Sequence, residues 1–288
     1  MQIFVQTRGE ARASDYRFLG QAPQSHWWRR YRDHTTFDHP TLLVQSDGAR
    51  WQAYLSGIPS VRVDAVGTVA RYTVVLEGAC GAAETGPNNS ALAVIEGWLS
   101  DIAQGVAGGQ VQVALDREFP APVVERLIAG EGDGVWHETQ RRALAALGSL
   151  PVPHPVTNGS PRAWIGDIGA PTSRAEFLAR TAALLTGEAG RALFLNLVGS
   201  QQDGTALDAD ELPVAILGED VAGINRDHIA ELNPKKASPP QRSALQAATA
   251  TTKPRPSRGR WLVTPGRWLV SPGRWLVTRW QGIRRRIP

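Results

Sequence analysis

Residues 41–78 hold the densest run of strand-forming side chains in this chain. Residues 41–45 and 50–55 are both β-prone, and they flank Ser46-Asp47-Gly48. An Asp-Gly pair between two such runs is a strong hairpin signal, because both residues tolerate the positive φ angles of a tight turn. Residues 69–76 are rich in β-branched and aromatic side chains and predict a third strand. The sequence therefore predicts an antiparallel sheet around a hairpin at residues 41–55.

The rest of the chain predicts a mixed α/β fold with several amphipathic helices. Further strands are predicted at residues 3–7, 16–19, 110–115, 191–198 and 213–217, and the strand at 191–198 is apolar enough to be buried on both faces. Helices are predicted at residues 91–104, 122–129 and 135–147. Another helix is predicted to begin with a capping box, Ser173 to Glu176, and to end at Gly187.

The domain organisation follows from size and composition. With 288 residues, of which 42% are hydrophobic, the chain can bury a substantial core. We expect a globular body at residues 1–232, with a candidate subdomain boundary near the proline-rich residues 151–160; two small domains are the alternative. Residues 233–258 contain scattered prolines among small and polar residues and predict a flexible linker. Residues 259–288 form a basic, tryptophan-rich tail that we expect to be disordered or extended.

The net charge of +4 hides an asymmetry between body and tail. Thirteen of the 31 Lys and Arg lie in residues 233–288, which contain no Asp or Glu, so residues 1–232 have 18 basic and 27 acidic residues. A cationic tail on an acidic body predicts that the tail binds something anionic: a membrane, nucleic acid or the body itself.

Several chemistries are excluded or disfavoured by composition. All three lysines (Lys235, Lys236 and Lys253) lie outside the predicted body. The body therefore has no lysine that could form a Schiff base with a substrate or bind phosphate in a P-loop. Cys80 is the single cysteine, so no internal disulfide can form. No run approaches the ~18 apolar residues of a membrane span, and the N-terminus lacks the pattern of a secretory signal. We expect a cytoplasmic protein without a cofactor.

Residues 27–31 combine aromatic and basic side chains. Such interleaving can stack on nucleic-acid bases. The favoured interpretation is that Trp27 and Trp28 dock a short helix on the sheet while the arginines face water, because aromatic side chains mostly serve packing.

Two Asp-His pairs follow at a spacing of five residues. Asp33, His34, Asp38 and His39 could together ligate a metal ion, which makes them the candidate catalytic residues of a metal-dependent hydrolase. No recognised motif places all four on one side, so a polar loop before the hairpin is the favoured alternative.

The tail contains a near-perfect repeat of seven residues, beginning at Gly259, Gly266 and Gly273. Pro-Gly after each of the first two units excludes a helical heptad. Tryptophan favours membrane interfaces and arginine attracts lipid head groups or phosphates, so the tail predicts an anion-binding or partner-binding surface. A neutral duplication is the alternative. The predicted binding residues are Arg260, Trp261, Arg267, Trp268, Arg274, Trp275, Arg279, Trp280, Arg284, Arg285 and Arg286.

The first 80 residues contain a set of short motifs: Gln6 with Gly9, residues 16–19, residues 42–44 and residues 71–75. Together they resemble the opening module of GTPase-associated proteins encoded in bacterial conflict and defence gene clusters. The family's Gly-Tyr and Gly-His-Arg-Leu-Leu motifs are not reproduced. The resemblance implies a non-enzymatic adaptor that couples an NTPase partner to an effector, and it carries over no functional residues.

Three functional hypotheses remain open from the sequence. The preferred one is a cytoplasmic bacterial adaptor of an antiviral defence system, which binds a protein partner through the body and a membrane or partner through the tail. The first alternative is the metal-dependent hydrolase, and the second is a nucleic-acid-binding protein. The oligomeric state is left open.

Overall fold

The computed structural model describes residues 1–10, 15–36, 38–81, 87–131, 133–152, 159–207, 212–225 and 228–234. Within these ranges, nine strands form one mixed sheet, and helices lie on both of its faces. The strands are β1 Gln2–Thr7, β2 Arg17–Phe18, β3 Thr41–Asp47, β4 Arg50–Val63, β5 Val69–Ala79, β6 Ala163–Asp167, β7 Ala189–Phe194, β8 Val214–Gly218 and β9 Ala230–Glu231. The helices are a 3₁₀ helix Trp27–His34, then α1 Pro87–Gln104, α2 Gln110–Glu118, α3 Ala121–Ile128, α4 Asp133–Gly148, α5 Pro171–Thr186 and α6 Gln201–Leu207.

The strand order is β2-β1-β5-β4-β3-β7-β8-β6-β9. The predicted hairpin is confirmed as the antiparallel pair β3–β4, in which Leu42 lies opposite Leu55. Gly48 has a φ of 94°, a backbone angle that residues with a Cβ atom adopt only with strain. This glycine therefore permits the tight turn. The predicted third strand is β5, which pairs with β4 in antiparallel orientation.

Strands β7, β8 and β6 form the parallel part of the sheet. The predicted buried strand is confirmed as β7, in which residues 190–194 are buried, and its predicted neighbour is confirmed as β8, which pairs with it. Strand β7 ends at Phe194, earlier than the sequence predicted. Just beyond it, the Asn196 side chain donates a hydrogen bond from Nδ2 to Thr41 Oγ1 (3.0 Å), which holds the chain against the start of β3.

Helices α1–α5 cover one face of the sheet. The larger core lies between them and inward-facing strand residues, and its largest side chains are fully buried. Trp98 of α1 also donates an indole hydrogen bond to the Thr41 carbonyl oxygen (3.1 Å). Burying tryptophan with its N–H satisfied combines a large apolar area with a fixed orientation, so α1 is anchored at the sheet centre.

The opposite face has a smaller core and less cover. Here the 3₁₀ helix packs through Tyr31, which is 2% exposed, while Trp27 and Trp28 are half-buried against the same cluster. Arg29, Arg30 and Arg32 are exposed. The predicted docking of a short helix by its aromatic residues is therefore confirmed.

The predicted strand at residues 110–115 is wrong, because these residues form the start of α2. Asp101 of α1 accepts hydrogen bonds from the backbone N–H groups of Gln110 and Val111 (2.9 Å each) and so caps the new helix. Val111, Ala114 and Leu115 then share one buried face at helical spacing. Polar and apolar residues alternate at 110–115, but six residues are too few to distinguish this alternation from the spacing of an amphipathic helix.

The predicted capping box at Ser173 is also wrong. Helix α5 begins earlier, with Ala170 as N-cap and Pro171 in the first turn. Proline is favoured there because it needs no N–H partner and its φ already suits a helix. Glu176 instead accepts a hydrogen bond from Ser160 (2.6 Å). The predicted end at Gly187, which has a φ of 126°, is confirmed.

All the residues that the structure describes, the last of which is residue 234, belong to one compact unit. Strands from before and after the candidate boundary at residues 151–160 belong to the same sheet. The predicted linker at 233–258 falls almost wholly, and the tail at 259–288 wholly, outside the described residues. Their flexibility and role stay predictions.

Candidate functional site

A row of polar side chains crosses the centre of the sheet on its less covered face. Glu77 on β5, Gln52 on β4, Gln45 on β3 and Arg191 on β7 lie directly opposite one another in register. Gln45 Nε2 donates to Gln52 Oε1, and Gln52 Nε2 donates to Glu77 Oε1, at 2.9 Å each. We call these four residues the polar ladder.

The polar ladder contains two nearly buried charges. Glu77 is 7% exposed and Arg191 is 4% exposed. Removing a charged group from water costs free energy unless bonds to other polar groups compensate. Gln52 provides one such bond to Glu77, and the ladder places fixed polar groups on the open face of the sheet, as small-molecule and partner sites require.

A cavity of about 390 Å³ opens above the ladder. Its size is within the ~300–1,000 Å³ of small-molecule sites. Three arginines line it from different elements: Arg30 from the 3₁₀ helix, Arg50 from β4 and Arg191 from β7. The amide side chains of Gln45 and Gln52 form part of its floor. We call this the polar cavity.

The two carboxylates in the described lining of the polar cavity accept hydrogen bonds within the protein. Glu77 accepts from Gln52. Asp47 Oδ1 accepts from the backbone N–H groups of Arg50 (2.8 Å) and Ala49 (2.9 Å), which lowers the pKa of Asp47 below its ordinary value of 3.8. The described lining thus has three arginines and two carboxylates, a cationic site in a body with an acidic net charge.

Arg30 connects the 3₁₀ helix to the polar ladder. Its Nη2 donates to Gln45 Oε1 (2.9 Å) and to the Tyr31 hydroxyl (2.5 Å). Its guanidinium also lies 4.7 Å from the centroid of the Tyr31 ring, a cation–π geometry. Because Tyr31 is buried, one wall of the polar cavity is held in place before any ligand arrives.

The four residues of the predicted metal site lie near one another in sequence but do not form a common ligand set. Asp33 pairs with Arg32 at 3.5 Å, and both are highly exposed. Asp38 pairs with Arg71 at 3.6 Å. The backbone carbonyl oxygens of His34 and His39 accept hydrogen bonds from residues 197 and 196. Among all the residues that the structure describes, no group of three or more His, Cys, Asp or Glu could hold a metal ion.

Cys80 is half-buried beside the hairpin. Its Sγ lies 3.4 Å from Ser46 Oγ and 3.5 Å from the Leu184 carbonyl oxygen. Ser46 lines the polar cavity and Cys80 does not, so the thiol contacts a residue of the cavity lining without belonging to it. The predicted binding residues of the tail, from Arg260 to Arg286, lie outside the described residues.

Sequence reasoning missed the polar ladder. One signal was present: Gln45 and Gln52 flank the predicted turn symmetrically, so the hairpin register places them opposite each other. Arg191 had no such signal, because its position beside Gln45 depends on the long-range pairing of β7 with β3.

No helix in the described part of the chain is both long and apolar enough to cross a membrane. Comparison with known proteins gives no family assignment: no protein-family model, no curated protein and no solved structure matches this chain.

Proposed function

We propose that this protein is a cytoplasmic adaptor whose body binds a protein partner through the polar cavity. The observation that carries the proposal is that Arg30, Arg50 and Arg191 line one cavity from three different elements, where the described lining has only two carboxylates. A guanidinium presents a planar fork of donors that matches a carboxylate or phosphate. The complementary feature of the partner is therefore an acidic segment.

The form of the site supports recognition of a partner rather than of a deeply enclosed substrate. Arg30 and Arg50 are exposed, whereas Arg191 lies at the floor. Exposed charges at the rim of an interface steer association, and a buried charge at its centre contributes to specificity. The amide groups of the ladder add donors and acceptors that fix the orientation of the bound group.

The resemblance of the first 80 residues to GTPase-associated modules supports an NTPase as the partner, within a bacterial defence system. The tail is proposed as a second binding element for an anionic membrane or partner surface, since it carries 13 basic and no acidic residues from position 233 onward. In this proposal, body and tail bind different surfaces and the protein joins them.

Charge reversal at the cavity rim tests the proposal. The full-length protein, an Arg50→Glu variant and an Arg126→Glu control are used as baits in the native host, and the captured proteins are quantified by mass spectrometry. Arg126 is an exposed arginine of α3, paired only loosely with Glu131 at 3.4 Å and remote from the cavity lining.

We expect a specific protein to be captured by the wild type and by Arg126→Glu, and to be lost with Arg50→Glu. Purified partner should then bind in the same order, with a rate of association that falls as salt rises. Equal capture by all three baits would show that the polar cavity is not the partner-binding site.

A further inference from the structure

A second cavity lies on the same face of the sheet, on the other side of the 3₁₀ helix. Its volume is about 400 Å³. Gln24, Ser25 and Arg30 line the polar cavity, whereas His26, Trp28 and Arg29 line the second one. The 3₁₀ helix and the residues before it therefore form a ridge between two separate spaces. We call the second one the aromatic cavity.

Five aromatic side chains line the aromatic cavity, one of which is Tyr16, and the other four form a chain of ring contacts. Trp28 stacks on Tyr54 with ring centroids 4.9 Å apart and planes at 17°. Phe18 meets Trp28 edge-on at 6.3 Å, and His26 lies 5.1 Å from Trp28. Because the rings already contact one another, little ordering cost remains when a flat ligand binds beside them.

These rings are anchored from the sheet but keep exposed area. Phe18 on β2 lies opposite Gln6 on β1, and Tyr54 belongs to the long strand β4. Trp28 and Phe18 are only half-buried, and His26 is exposed. Packing alone would favour complete burial of such large apolar groups. Their partial exposure around a cavity indicates a binding role in addition to docking the helix.

The charges around the aromatic cavity select the class of ligand. Arg17 and Arg29 line it and are exposed, and its described lining includes no Asp or Glu. Aromatic cages also bind quaternary ammonium groups. Two guanidinium groups with no carboxylate in the described lining repel a cationic ligand and attract an anion. The aromatic rings add a preference for a flat ring on that anion.

We infer that the aromatic cavity binds a nucleotide unit, with the base packed against the Trp28 and Phe18 rings and the phosphate held by Arg17 and Arg29. Base–aromatic stacking combined with arginine contacts to phosphate is how proteins hold single nucleic-acid strands. The Gln6 side chain lines the cavity and supplies an amide that can pair with the edge of a base. The unit comes either from a free mononucleotide or from a single strand. This inference does not depend on the proposed adaptor function, which uses the polar cavity.

Binding to the full-length protein tests the inference with two probes: adenosine monophosphate, and a short fluorescent oligothymidylate whose affinity is followed by anisotropy at ~0.15 M salt. The variants are Arg29→Glu and Trp28→Leu. Arg32→Glu is the matched control, because Arg32 is an exposed arginine of the same 3₁₀ helix that lines neither cavity. Melting curves confirm that each variant is folded.

We expect Trp28→Leu to weaken binding at least about fivefold, the loss associated with one stacked base. Arg29→Glu should weaken binding and lower the slope of log affinity against log salt by about one, the signature of one lost phosphate contact. Arg32→Glu should bind like the wild type. If the protein binds both probes, a free mononucleotide is enough to occupy the cavity. If it binds only the oligonucleotide, the bound unit belongs to a single strand.

The cationic tail can bind nucleic acid by itself, so a second measurement locates the contact. An oligonucleotide with a photoreactive iodouracil is cross-linked to the full-length protein, and the adducts are mapped by mass spectrometry. We expect adducts at Phe18, His26 or Trp28. Adducts confined to residues 259–288, equal affinity of all variants, or no binding of either probe would each overturn the inference.

Discussion

The indole ring of Trp28 lies parallel to the phenol ring of Tyr54, with centroids 4.9 Å apart. This contact joins the 3₁₀ helix to the central strand β4 between the polar cavity and the aromatic cavity. Burial raises the pKa of Tyr54 above its ordinary value of 10.0. One stacked pair therefore sets the position of the ridge that divides the open sheet face.

The first prediction concerns the stability of this ridge. Trp28→Ala should lower the free energy of unfolding by roughly 2 kcal/mol, about half of the loss for a fully buried tryptophan, because Trp28 is only half-buried. Trp28→Phe, which keeps a ring for stacking, should cost less. Chemical denaturation measures both. If Trp28→Ala lowered the free energy of unfolding as much as truncation of a fully buried tryptophan does, the ring would stabilise the whole sheet and not only the ridge.

The second prediction concerns the close approach of Gly78 to Trp51. A Cβ at Gly78 would lie 2.4 Å from Trp51 Cζ2, and this indole is fully buried and donates to Asn88 Oδ1 (3.0 Å). Gly78→Ala must displace the ring, so we expect a loss of about 1–3 kcal/mol, as for other overpacked cores. Gly81→Ala is the control, since its Cβ would meet nothing within 4 Å. Equal melting temperatures of the two variants would refute the prediction.

The third prediction uses pH. The backbone N–H of Thr68, together with that of Val66 and the Arg8 guanidinium, lowers the pKa of Asp64 below 3.8. A carboxyl whose pKa is lowered by folding stabilises the protein above its unfolded pKa and loses this contribution as the pH falls through its folded pKa. Asp64→Asn should therefore be less stable than the wild type at pH 7, and the difference should shrink below about pH 4.

Thermal melts of both proteins from neutral to acidic pH measure this effect. A difference in melting temperature that stays constant over the whole range would show that the Asp64 charge does not stabilise the turn between β4 and β5. The aspartate would then act only through the shape and hydrogen bonds that asparagine retains.

The fourth prediction addresses the metal-dependent alternative. Because Asp33 and Asp38 pair with different arginines, we expect EDTA to leave the melting temperature unchanged. The double variant Asp38→Ala, His39→Ala should have the same metal content as the wild type by elemental analysis. Stoichiometric zinc or manganese in the wild type that disappears in the double variant would revive the hydrolase hypothesis.

The fifth prediction concerns the tail. Deletion of residues 259–288 removes the three Arg-Trp-Leu-Val units, so association with vesicles that contain phosphatidylglycerol should be lost while the melting of the body stays the same. Co-sedimentation at ~0.15 M salt measures this, with phosphatidylcholine vesicles as the control. Equal co-sedimentation of the full-length and shortened proteins would leave the repeat without a membrane role.

The sequence by itself determined the elements whose signals are local. The hairpin follows from β-prone runs around Asp47-Gly48, and the end of α5 follows from Gly187. The docking of a short helix follows from Trp27 and Trp28, although the structure buries Tyr31 more deeply than either tryptophan. These predictions succeeded because each depends on the conformational preference or hydrophobicity of residues close together in the chain.

The tertiary structure decided what depends on distant partners. Residues 110–115 are helical because Asp101, from the preceding helix, caps them, and a short alternating window cannot reveal that contact. The polar ladder joins Gln45 and Glu77 to Arg191, which is far away in sequence and reaches them only through the pairing of β3 with β7. Local patterns fix the preference of each segment, but the cavities exist because non-local pairing brings particular polar and aromatic side chains to one face of the sheet.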